Sequence, residues 1–88
     1  MALSKAKQFE EDMARCRGIT FAKLGMMVEV SGDIGTIQGM NGSANLDVVF
    51  ANQLKYGKHK HNCHPQYQIK YFDNNGNVVA DYTEGKSV

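Results

Sequence analysis

Past Gly25 the apolar residues fall on every second position, and this alternation limits the fold more than any other feature. Met26, Val28 and Val30 alternate with Met27, Glu29 and Ser31. Leu46, Val48 and Phe50 alternate with Asn45, Asp47 and Val49, and Tyr67, Ile69 and Tyr71 with Gln68, Lys70 and Phe72. Val78, Ala80 and Tyr82 continue the pattern after Asp73–Asn77, a run of turn-forming residues. Period two is that of strands with one buried face. Gly35–Gly39 reads as a further strand after a turn at Gly32-Asp33. The sum is five short antiparallel strands between residues 25 and 83, which suggests a small barrel, since closing a sheet removes its exposed edges.

Before Gly25 the pattern is helical. Ser4 is a capping residue, Lys5 to Arg17 are mostly good helix formers, and Gly18 is a natural stop. Phe9, Met13 and Cys16 share one narrow face, enough to dock on a sheet but not to build a bundle. Cys16 is expected to be a small buried residue there. Met26, Met27 and Met40 are expected as core filler. The expected organisation is one domain over 1–88: a helix and linker in 1–20, a β-barrel in 25–83, and a flexible tail in 84–88. The class is mainly β, or α+β by content.

Near-neutral net charge hides a polarised chain. Residues 25–54 carry Glu29, Asp33 and Asp47 and no base, whereas 55–72 carry Lys55, Lys58, Lys60 and Lys70 and no acid. No apolar run approaches the roughly 20 residues of a membrane-spanning helix. The first residues lead into Glu10-Glu11-Asp12 rather than an apolar stretch, so no signal peptide is expected. Two cysteines cannot form a dense disulfide framework, and the expected setting is the cytoplasm, with reduced thiols. An 88-residue domain gains from a partner, and a homodimer is one way to supply it.

The connection from Ala51 to Gln66 is long, and long loops tend to carry function. It gathers Tyr56, Lys58, His59, Lys60, His61, Cys63 and His64, including every histidine of the chain. If the segment is extended, His59, His61 and Cys63 point to one side, as an imidazole–thiolate set for a metal such as zinc. The spacing matches no standard zinc finger, and a polar loop packed under the sheet is the plainer reading. Lys55, Lys58, Lys60 and Lys70, with Tyr56, Tyr67 and Tyr71 near in sequence, also form the basic and aromatic mixture used on single-stranded nucleic acid. The small net charge weighs against strong phosphate binding. Cys63 and His64 are adjacent, so on a strand they face opposite ways and do not form a nucleophile–base pair. No enzyme is expected.

The run Gly25-x-x-Val28-x-Val30-x-Gly32-x-x-Gly35-x-Ile37-x-Gly39 resembles the opening of KOW-type and other SH3-like barrels. That resemblance implies a five-stranded SH3-like barrel after the helix. The segments Asn45–Phe50, Asn62–Tyr67 and Tyr71–Val78 are similar in style and order to small phage and prophage proteins. The leading expectation is therefore a non-catalytic binding module of phage or mobile-element origin. It would engage a protein partner through the 55–66 loop, with Tyr56 as anchor and Lys55, Lys58, His59, Lys60, His61 and Lys70 around it. A nucleic-acid-binding barrel using the basic 55–70 segment is the second reading. A metal loop of His59, His61 and Cys63 is the third.

Overall fold

Ser4 opens the first helix by accepting the Lys7 amide on its side-chain oxygen at 3.2 Å. The computed structural model describes residues 4–83, so the expected tail at 84–88 lies outside the described residues. Helix α1 spans Lys5–Arg17 and ends at Gly18, whose left-handed φ of 68° lets its amide reach back to the Ala14 carbonyl at 3.0 Å. Phe9 and Met13 are buried, but Cys16 is exposed, against expectation. The chain beyond Gly18 seals that end of the core instead, with Ile19 and Ala22. Arg17 pins the helix end to the turn between the second and third strands. Its guanidinium donates to the Ala44 carbonyl at 2.9 Å, the Ser43 carbonyl at 3.3 Å and Asn45 Oδ1 at 2.9 Å.

The strands are β1 (Met27–Val30), β2 (Asp33–Met40), β3 (Leu46–Phe50), β4 (His61–Cys63), β5 (Ile69–Phe72) and β6 (Val78–Asp81). A short helix, α2 (Gln53–Tyr56), lies between β3 and β4. One antiparallel sheet holds all six strands in the order β4-β3-β2-β1-β5-β6. The chain is thus small and mainly β, with one long N-terminal helix and an open sheet. The count differs from the expected five because His61–Cys63, inside the long connection, pairs with β3: Leu46 opposite Cys63 and Val48 opposite His61. Three residues, two of them polar, are too few to show alternation in a sequence.

The alternating positions of β3 and β5 point inward as their period demands, but Val78, expected on the face of Ala80 and Tyr82, is exposed because the β5–β6 register shifts between Tyr71 and Phe72. Val28, Ile37, Leu46, Val48, Phe50, Ile69 and Tyr71 are buried and pack with Phe9 and Met13. Each such side chain contributes about 1.5–3 kcal/mol relative to exposure. Gly35 is required by contact: a Cβ there would lie 2.5 Å from Val48 Cγ1. Tyr71 is the largest of the fully buried residues, and its hydroxyl donates to the Pro65 carbonyl at 2.6 Å. Burial pushes its phenol well above the usual tyrosine range. Tyr67, expected on the same buried face, is exposed because β5 begins only at Ile69. Met27 is exposed too, on the outer face of β1, while Met26 and Met40 pack against the core as expected. No helix among the described residues is long and apolar enough to cross a membrane.

Candidate functional site at the α2 corner

The chain leaves β3 at Phe50 and folds into α2 rather than a loop. Asn52 caps this helix by accepting the Lys55 amide at 3.2 Å. A helix of four residues has no stability of its own, so tertiary contacts must hold it. Tyr56 supplies them. Its ring stacks on Phe50, with centroids 4.1 Å apart and planes 22° apart, and meets His61 edge-on at 5.3 Å. Its hydroxyl donates to the carboxylate of Asp33, at the start of β2. The His61 Nε2–H in turn donates to the Tyr56 carbonyl at 2.7 Å.

Lys55 completes the cluster, with Nζ 3.2 Å from Asp33 and 5.1 Å from the centre of the Tyr56 ring. The Tyr56 hydrogen bond, and then that of Lys55, hold the Asp33 carboxyl below the usual carboxylate range. Asp33 in return raises the Lys55 ammonium and the Tyr56 phenol. The polar atoms of this corner are therefore spent on one another. Tyr56, expected as the exposed anchor, is half-buried and braces the corner.

The basic segment does not act as one patch. Lys55 is paired with Asp33, and Lys70 lies 3.7 Å from Glu29, its cross-strand partner on β1. Lys70 belongs to β5, so β1 and β2 separate it from the β3–β4 end of the sheet. Lys58 and Lys60 are exposed, and neither is in an ion pair among the described residues. His59 is exposed and lies against His61, with ring centroids 4.4 Å apart.

The expected metal set of His59, His61 and Cys63 is not assembled. Among the described residues no three His, Cys, Asp or Glu side chains come together to hold a metal ion. The pairing of β4 explains this. It turns Cys63 into the core opposite Leu46, where burial raises its thiol pKa, and it leaves His61 donating to Tyr56. His64 bends away and accepts the Gln66 amide on Nδ1 at 3.0 Å.

What the sequence reading missed is Leu54. It projects from α2 with a relative exposure of 103 %, the highest among the exposed large apolar residues. Lys55 follows it directly, and Lys58 and Lys60 lie just beyond α2. A lone leucine between Gln53 and Lys55 carries no periodic signal, and only the short helix raises it from the surface. No protein-family model, curated protein or solved structure matches the chain.

Proposed function

We propose that the chain is a non-catalytic binding module that engages a protein partner through the α2 corner, with Leu54 as the anchor. The observation that carries this reading is a fully exposed leucine on a helical turn that is itself braced by Tyr56, Phe50 and Asp33. Interfaces concentrate their energy in a few apolar anchors surrounded by a polar rim. A braced anchor also loses little conformational freedom on binding. Lys58 and Lys60 would form the rim and set the rate of encounter with an acidic surface.

The same geometry weakens the nucleic-acid reading. Two of the four lysines are already paired with Asp33 and Glu29, Tyr56 is half-buried with its ring stacked on Phe50, and Tyr71 is buried. The finer SH3-like assignment draws support from the β1–β2–β3–β4 meander, with β5 returning to pair with β1. The free edges at β4 and β6 are what distinguish this sheet from a closed barrel.

The test is recovery of partners from lysate by tagged wild type, Leu54→Asp and Tyr67→Ser, with and without nuclease. The reading predicts a nuclease-resistant protein with wild type and Tyr67→Ser that is lost with Leu54→Asp. Recovery of nucleic acid that falls steeply between about 50 and 200 mM salt, unaffected by Leu54→Asp, contradicts it.

A further inference from the structure

Away from the α2 corner the molecule has a cleft of about 550 Å³, lined by Phe21, Met26, Phe72 and Val79, with Lys23 and Asp73 at its sides. It forms where the linker after α1 passes the tip of the β5–β6 hairpin. Val79 is exposed beside it. The strand register fixes where the cleft and Leu54 stand relative to each other. Asp33, which holds α2, pairs with Val30 at the far end of β1, whereas Met26 immediately precedes β1 at its near end. Phe72 ends β5 on the Met26 side, since Tyr71 is opposite Val28 and Ile69 opposite Val30. In the other direction β3 and β4 stand on one side of the sheet and β5 and β6 on the other. Leu54 and the cleft therefore occupy opposite ends of the sheet along the strands and opposite sides across them, and Leu54 cannot fill the cleft of its own chain.

We propose that the partner of the α2 corner is a second copy of this chain, with Leu54 of one copy seated in the Phe21–Met26–Phe72–Val79 cleft of the next. This rests on the contact-surface reading above and names its partner. Charge favours that occupant. Beyond Lys55, which pairs with Asp33, the segment from Phe50 to Cys63 carries Lys58 and Lys60 and no acid, and the hairpin from Phe72 to Thr83 carries Asp73 and Asp81 and no base. An apolar knob inside a basic rim thus faces an apolar cleft beside an acidic hairpin. Lys23 and Asp73 both line the cleft, one charge of each sign. Because the two surfaces differ, the contact is heterologous: each copy offers a free knob and a free cleft, and association runs head to tail into a ring or a filament.

The test mixes two purified proteins, both carrying Cys16→Ser to remove the exposed thiol. One carries Leu54→Cys and the other Val79→Cys, and disulfides are allowed to form in a glutathione buffer. Both positions are exposed, so neither change disturbs the core. The proposal predicts that the mixed 54–79 disulfide exceeds the 54–54 and 79–79 products. It also predicts that Lys58→Glu with Lys60→Glu on the Leu54→Cys protein lowers its yield about tenfold or more. A statistical mixture of the three disulfides, or 54–54 alone, overturns it. If no mixed disulfide forms while Leu54→Asp still removes the protein recovered from lysate, the second copy is wrong and the contact surface stands. If Leu54→Asp leaves the protein recovered from lysate unchanged and no mixed disulfide forms, both fall.

Discussion

Tyr56 donates its hydroxyl to Asp33 across the gap between α2 and the start of β2. This contact decides what the corner shows to solvent. It draws the aromatic ring inward onto Phe50 and leaves Leu54, two residues earlier, as the apolar group that projects. The residue with the most evident binding chemistry serves as the brace, and its plainer neighbour is presented.

If Tyr56 is the brace, Tyr56→Phe keeps the ring stack and removes the tether. The amides of Tyr56 and Gly57, bonded to the Asn52 and Gln53 carbonyls, will then exchange with solvent faster. Amides of β1 and β2 will be unchanged. Hydrogen exchange read by NMR checks both halves of this prediction.

Acid should act partly through Asp33 and Asp73. Both carboxyls are held below their ordinary range, Asp33 by Tyr56 and Lys55 and Asp73 by the Asn77 backbone amide and the other donors of the hairpin turn. A carboxyl depressed in the folded state adds stability that is present above its unfolded pKa and is lost as pH falls through the folded one. Urea midpoints should therefore drop between about pH 5 and 3. Asp33→Asn should lower the midpoint at pH 7 and flatten the acid slope.

Gly35→Ala tests the packing of β2 against β3. The added methyl would meet Val48 Cγ1 at 2.5 Å and the Val49 carbonyl at 3.1 Å, so the buried Val48 side chain must shift and the β3 backbone must give slightly. Overpacking of this kind costs about 1–3 kcal/mol. Urea denaturation should show that loss, and Gly42→Ala, in open space, should not.

Tyr71→Phe should cost about 1–3 kcal/mol, because the buried Pro65 carbonyl loses its donor while the apolar packing stays in place. Burial raises the Tyr71 phenol, so its contribution is present below the ordinary tyrosine pKa and is lost as pH rises toward the folded one. The wild type should therefore weaken above about pH 10 more steeply than Tyr71→Phe. Chemical denaturation at two pH values measures this.

The sequence carried the fold where its period was sustained. Ser4 and Gly18 bound α1, and the Leu46-Val48-Phe50 and Ile69-Tyr71 alternations give β3 and β5 their buried faces. It failed where a strand was short and polar. His61-Asn62-Cys63 becomes β4 because β3 offers it a free edge, a tertiary cause that no local pattern records. The site was legible as a segment but not in its roles. Lysines close in sequence part company once Lys70 joins β5 and Lys55 meets Asp33, and carboxylates remote in sequence decide which charges stay free. Leu54 could not be read in advance, since its exposure depends on where Tyr56 is tied.

The most direct test places a photo-crosslinking phenylalanine analogue at position 54 and, as a control, at Glu11 on the exposed side of α1. Irradiation in lysate should give a covalent protein adduct at position 54 that is absent at position 11 and that weakens with Lys58→Glu and Lys60→Glu. Equal labelling at both positions, or none at 54, would contradict the assignment of the α2 corner as the contact surface.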